Sequence, residues 1–320
     1  MKNQKHKIDW LNIPGYKGET WNPVVGCEKI SEGCENCYAE KMAIRQTAMG
    51  TMKYIGTIKD KKWTGHIGVD YTELDKPLQW RKPRVIFVCS MGDLFHKDVE
   101  LAIINMVLNR IEVAPQHLYI ILTKRPERMK EVISALPETL PNLWLGVTAE
   151  NQQSANERIP ILLDTPAAKR LVSIEPMLGA IDFDLGCIEE GFHHALDGQT
   201  FCPGMNEPIR SKKLDWVIVG GENGHKARPM HPLWAIKALE QCKKAGTPFF
   251  FKGWGEWNDI THGYEYINSK PPNSFPIHTF GSGYTSLDVY KVGKKNSGNL
   301  LNGKFYHEFP IQKENIKRTY

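Results

Sequence analysis

The chain has 320 residues, of which 41% are hydrophobic and 24% charged, and it carries a formal net charge of +5. These values belong to an ordinary globular chain and exclude a low-complexity disordered protein, a collagen and a bundle of membrane spans. The basic excess is mild and spread out, so it permits an anionic partner without forming the basic stripe of a dedicated nucleic-acid module.

In chain order, the start "MKNQKHKIDW" is basic but has no apolar core segment, so it does not read as a secretory signal, and the expected location is the cytoplasm. Thiols stay reduced there, and seven cysteines is an odd count, so clustered cysteines point to metal or redox chemistry rather than disulfides. The first strand expected is a weak one at 21–26 ("WNPVVG"), broken by Pro23. Near-continuous apolar runs at 84–90, 118–124, 143–148, 170–176, 215–221 and 248–255 follow, as expected of parallel strands buried on both faces. Helical spacing appears between them at 34–49, 98–114, 126–136, 151–164 and 231–246, with Pro160 expected to kink or restart its helix. Strand and helix alternating six or seven times predict an α/β fold with a parallel sheet, a partial or closed TIM-type (β/α) barrel. The expected organisation is a barrel over 1–255 with an insertion at about 177–214, then a loop-rich appendage over 256–320 packing on the barrel.

Active sites of such sheets lie at the C-terminal strand ends. The residues expected there are Cys27, Cys34 and Cys37, then Ser90, Gly92, Asp93 and His96, then Thr123, Lys124 and Arg125. The later strands add Glu150, Glu175, Gly221, Glu222, Lys252 and Trp254. Charges directly abutting apolar runs are costly unless paired or ligand-bound, which singles out Lys124, Glu175, Glu222 and Lys252.

The segment "GCEKISEGCENCYAEK" (26–41) places Cys27, Cys34 and Cys37 in C-x6-C-x2-C spacing. A structural zinc site closes with four protein ligands, whereas three thiolates leave one iron of a [4Fe–4S] cluster open to a small molecule. Spacing alone leaves both open, with His96 or Cys89 as the candidate fourth ligand of a zinc site. In the insertion, Cys187, His193, His194 and Cys202 make a poorly spaced second zinc candidate.

A thiol loop after the first strand of a parallel barrel is similar to the arrangement in radical S-adenosylmethionine (SAM) enzymes, whose usual spacing is C-x3-C-x2-C. Nearly end to end, the chain also resembles the phage-associated three-Cys-motif proteins, which are similar to radical SAM enzymes and distantly to spore photoproduct lyase. The resemblance rests on "TWNPVVGC", "GCENCYAEKMA", "FVCSMGDLFH", "ILTKRPERM", "NLWLGVTAENQ", "RLVSIEPMLGAID", "DWVIVGGENGHKARPM", "PFFFKGWG" and "VGKKNSGNLLNGKFYHEFP". It implies a [4Fe–4S] cluster on Cys27, Cys34 and Cys37, and SAM on its open iron as the source of a 5′-deoxyadenosyl radical. It further implies SAM contacts from Ser90, Gly92, Asp93, Lys124, Glu150, Glu175, Gly221 and Glu222, with Arg125 an alternative to Lys124 at the SAM carboxylate. Lys124, Glu175, Glu222 and Lys252 are the implied catalytic residues, and His225, Arg228 and Trp254 the implied substrate contacts. A more local reading has Arg228 pairing with Glu222. The implied partners are a nucleic acid base or nucleotide as substrate and a flavodoxin or ferredoxin as electron donor, with no membrane. The rival reading is a nucleic-acid-binding or hydrolytic protein with a structural metal at the three cysteines.

Overall fold

The computed structural model describes residues 6, 8–187, 191–201, 207, 209–258, 274–282 and 286–310. They fall into two compact units, the first holding residues up to Thr148 with Arg158–Leu171, the second Ala149–Glu157 with Val172–Phe309.

In the first unit, β1 (Lys17–Trp21) precedes the two-residue strand β2 (Val24–Val25) and helix α1 (Tyr38–Ala48). The small strands β3 (Ile58–Lys59), β4 (Lys62–Trp63) and β5 (Gly68–Val69) and the single turn α2 (Lys76–Gln79) follow. Then come β6 (Arg84–Val88), α3 (Leu101–Glu112), β7 (Leu118–Thr123), α4 (Pro126–Ser134) and β8 (Leu143–Thr148). Helix α5 (Gln152–Asp164) and strand β9 (Lys169–Ile174) run through the chain positions where the units divide. Pro160 lies inside α5, which continues to Asp164 without a restart.

The first sheet strand differs from expectation. It is "KGETW", parallel to β6, while Val24 and Val25 leave that sheet to pair antiparallel with β5. Pro23 has no N–H to give a ladder, and β1 stands at the sheet edge, where a strand needs apolar residues on only part of its surface. Its half-polar sequence therefore hides it from a search for apolar runs. The interior strands β6, β7 and β8 match the sequence reading within a residue or two and are buried along nearly their whole length.

The second unit carries the insertion as a four-stranded antiparallel sheet of β10 (Asp184–Cys187), β11 (Gly191–His194), β12 (Gln199–Phe201) and β13 (Ile209–Arg210). Next are β14 (Trp216–Gly220), α6 (Pro232–Ala245), β15 (Phe249–Gly253), the hairpin β16 (Ile277–Phe280) with β17 (Leu287–Tyr290), and the turn α7 (Lys294–Ser297). Helix α6 has Pro232 in its first turn and ends at Gly246 with φ +69°, the left-handed cap that its sequence forecast. The appendage lies against β15, where Phe251 N donates to Tyr306 O and Phe250 stacks on His307 at 4.5 Å. That cover protects a sheet edge that would otherwise expose unpaired backbone groups.

The seven long strands form one parallel sheet of order β1-β6-β7-β8-β9-β14-β15, a half-barrel with open ends. A partial parallel barrel is thus the form found. Among the described residues no helix is long and apolar enough to cross a membrane.

One buried group gives the first unit a pH signature. His117 Nδ1 accepts from Arg84 N at 3.2 Å and its Nε2 donates to Pro77 O at 3.0 Å, which fixes the neutral tautomer. Burial holds its pKa below the ordinary imidazole value, the Arg84 charge adds to this, and the Pro77 carbonyl opposes it. The unfolded chain takes up a proton near pH ~6.5 that the folded chain refuses. Stability is therefore expected to be constant above that pH and to fall as pH drops from there through the folded value. Thermal unfolding between pH 8 and 5 checks this, and His117→Gln should lose that component. An identical pH slope in both proteins would assign the effect to another group.

Candidate functional site

Two loops build the thiol site of the first unit. After β1, Asn22 Oδ1 accepts from Ser90 Oγ at 3.1 Å and Met91 N at 3.0 Å, fastening the segment that leads to the cysteines onto the turn after β6. Gly26 N donates to Met91 O at 3.1 Å. Gly26 has φ +99°, and a Cβ there would lie 2.3 Å from the His66 carbonyl oxygen, while a Cβ on Gly92 would lie 2.8 Å from Gly26 O. Only glycines let these backbones touch, and Cys27 follows at once. Cys34 ends a short 3-10 turn (Glu32–Cys34), and Cys37 is the N-cap of α1. The helix thus starts after the last thiol rather than at Cys34 as expected, and its partial positive end faces the cysteine segment. All three thiols are free and half-buried.

Cations reach the thiols from the end of β7. Thr123 Oγ1 lies 2.8 and 2.9 Å from the two carboxylate oxygens of Asp93 and accepts from Arg125 N at 2.9 Å. Arg125 Nη1 donates to Asp93 Oδ2 at 2.8 Å and to Cys27 Sγ at 3.8 Å. Its Nη2 lies 3.5 Å from Glu28 Oε1. Lys124 Nζ donates to Ser31 Oγ at 3.3 Å, and that hydroxyl is 3.6 Å from Cys34 Sγ. Burial pushes the Cys27 thiol up to about 12, Asp93 adds to the rise, and Arg125 opposes it. Burial also raises Cys34, but Lys124 and hydrogen bonds from Ile30 and Ser31 outweigh it and leave this thiol below its ordinary value.

Asp93, an expected SAM contact, ties the turn after β6 to the end of β7. It is 5% exposed, and its two oxygens already accept from Phe95 N, the Thr123 hydroxyl and Arg125. A carboxylate so fully engaged anchors Arg125. Ser90 Oγ donates to Asn22, and the Ser90 carbonyl accepts from the Tyr38 hydroxyl. Both candidate fourth ligands of a zinc site are buried. Cys89 is buried with φ +53°, and His96 is buried with Nδ1 accepting from Asp98 N at 3.2 Å. Among the described residues no three His, Cys, Asp or Glu stand together at metal-holding distance. Sequence reasoning missed Asn22, Glu28 and Ser31, which carry no signal beyond their nearness to Cys27 and Cys34.

The second unit holds the other expected residues. Lys252 Nζ pairs with Glu175 Oε1 at 2.6 Å, and Ser173 Oγ donates to Glu175 Oε2 at 3.1 Å. Glu222 and Arg228 form the local pair: Nη2 meets Oε1 at 2.7 Å, and Nε and the Arg228 backbone N meet Oε2 at 3.0 and 2.7 Å. Arg228, an expected substrate contact, is thus held by Glu222. Glu150 is buried, with its backbone N donating to Ser154 Oγ. His225 is exposed. Trp254, an expected substrate contact, is 6% exposed, its indole N–H donates to Leu300 O at 2.9 Å and Phe251 meets it edge-on. In the insertion, His194 Nδ1 pairs with Asp184 Oδ1 and His193 Nδ1 lies 2.7 Å from Thr200 Oγ1, so the adjacent histidines diverge as strand neighbours must. The Cys187 side chain and all of Cys202 lie outside the described residues.

Gly221, an expected SAM contact, has the protein's own backbone packed against its Cβ side. A Cβ there would lie 2.0 Å from the Trp254 carbonyl oxygen. Gly221→Ala is expected to cost about 1–3 kcal/mol, because the collision is with backbone that cannot rotate away. Urea unfolding measures it, and an unchanged midpoint would show that the β15 loop yields freely.

Fold and site together define a mixed α/β protein with a parallel half-barrel sheet and a cation-lined, three-thiol loop beside its first strand. The chain belongs to the DUF5131 family, described as protein of unknown function, whose model matches residues 6–310. No curated protein and no solved structure matches it.

Proposed function

We propose that the protein is a radical SAM-type iron–sulfur enzyme on a TIM-type half-barrel, with Cys27, Cys34 and Cys37 as the thiolate ligands of a [4Fe–4S] cluster. The observation that carries the reading is that the end of β7 sends Arg125 to Cys27 and Lys124, through Ser31, toward Cys34, two of the three thiols of one short segment. The donor set fits such a group: thiolates suit iron–sulfur clusters, and two cations with a helix N-terminus offset the negative charge that three thiolates gather. When bound, a cluster of this kind supplies the electron that cleaves SAM to a 5′-deoxyadenosyl radical.

The chain's own residues do the holding. Asp93 and Thr123 fix Arg125 at Cys27, and Asn22 keeps the two loops in register. Lys124 is the candidate for the SAM carboxylate, since Asp93 already claims Arg125. Ser90 Oγ keeps acceptor capacity for the SAM amino group. Lys252, held at Glu175 and 30% exposed, is the candidate proton donor of the second unit. The substrate class, a nucleic acid base or nucleotide, follows from the resemblance to phage-associated and lesion-repairing relatives. The same resemblance supports a cytoplasmic enzyme fed by a flavodoxin or ferredoxin.

Anaerobic purification with iron and sulfide analysis tests the reading. About four irons per chain, a broad visible band that bleaches with dithionite, and 5′-deoxyadenosine formed from SAM are expected. A colourless chain holding one zinc would replace it with the structural-metal reading. A brown chain that leaves SAM intact would keep the cluster and discard the radical step.

A further inference from the structure

Arg125 is held in a way that directs one of its N–H groups at sulfur. Its Nη1 is shared between Asp93 Oδ2 at 2.8 Å and Cys27 Sγ at 3.8 Å. Its backbone N is tied to Thr123 Oγ1, and the same hydroxyl braces Asp93. The guanidinium is 13% exposed, so its charge is poorly screened, and its Nη2, facing Glu28, makes no hydrogen bond. The arrangement is more than an ion pair. Asp93 alone would be satisfied by either Nη, yet the fork is turned so that the Nη shared with Asp93 also reaches the thiol.

We infer that Arg125, positioned by Asp93 and Thr123, is the residue that sets the reduction potential of the iron–sulfur centre on Cys27, Cys34 and Cys37. The inference rests on the cluster reading above. Hydrogen bonds and positive charge at the ligand sulfurs favour the reduced, more negative state of such a centre and raise its potential. The step is a one-electron reduction: the reductant gives up one electron, the centre gains it, and no bond or proton changes at Arg125. Asp93 partly neutralises the guanidinium, so the pair tunes the centre through one directed N–H and a residual field. Arg125 is here a positioning residue and touches no reacting atom.

The test is a potentiometric titration of the full chain, reconstituted anaerobically, with dithionite as the one-electron donor. Arg125→Gln removes the charge and the fork, and it is expected to shift the reduction equilibrium about tenfold toward the oxidised state, ~59 mV for a one-electron couple. Arg125→Lys keeps the charge and should recover part of that shift. Since Arg125→Gln strands a buried carboxylate and can weaken folding, Asp93→Asn/Arg125→Gln removes both charges. This double variant should show a lowered midpoint in the molecules that hold the centre. Equal midpoints in wild type and both Gln-containing variants, with equal iron, would overturn the inference and leave the cluster reading standing. A wild-type chain that takes up no iron would overturn both, so the two failures are distinct.

Discussion

Replacing Cys34 by alanine is expected to leave a folded, colourless chain that holds no stable iron–sulfur centre. Cys34 is half-buried at the end of a single turn, and its sulfur meets Ser31, the Ile30 backbone and the field of Lys124. It fills no core volume, so its loss should cost little stability, within about 0.5 kcal/mol, as for surface changes away from special features. Its loss as a ligand is another matter, since two thiolates cannot do what three do for a four-iron centre. Iron content and visible absorbance of the reconstituted variant, beside its melting temperature, separate the effects. Cys242→Ala is the control. Cys242 is buried inside α6, where burial pushes its thiol well up, and changing it should leave the iron in place. A Cys34→Ala protein as brown as wild type would remove Cys34 from the ligand set.

The second large effect is expected at Asp93. Asp93→Ala should lower folding stability by about 3–5 kcal/mol, the usual result of removing one partner of a buried charge pair. Asp93 accepts from Phe95 N at 3.0 Å, from Thr123 Oγ1 and from Arg125 Nη1, joining the turn after β6 to the end of β7. Without it, Arg125 keeps a charge that Glu28, at 3.5 Å, compensates poorly. Urea unfolding gives the magnitude. Asp93→Asn/Arg125→Gln should be less destabilised than Asp93→Ala, because no charge is left stranded. A loss below about 1 kcal/mol for Asp93→Ala would mean that Arg125 finds water or another acceptor, and the clamp on Cys27 would lose its basis.

Both effects depend on elements the sequence displays and on pairings it does not. The run "FVCSMGDLFH" announces a buried strand followed by a polar turn, and "ILTKRPERM" another strand with a proline-led helix. Nothing local says that Asp93 and Arg125, 32 residues apart, meet. The parallel register of β6 with β7 brings the two turns together. The pairing of Glu222 with Arg228 was legible as an alternative because only six residues separate them. That Trp254 and Gly221 touch was likewise not legible: 33 residues apart, they meet because the Trp254 carbonyl packs where a Cβ on Gly221 would sit.

By itself the sequence determined the alternation of buried strands and helices, the capping of α6, and the three thiols with their spacing, since periodicity, cap chemistry and cysteine position are properties of neighbouring residues. The tertiary structure decided that "KGETW" is the edge strand, that the sheet is an open half-barrel, and that Asp93 holds Arg125 against Cys27. An edge strand needs no apolar run to be stable in the sheet, and a buried charge finds its partner through strand register, which no stretch of neighbouring residues encodes.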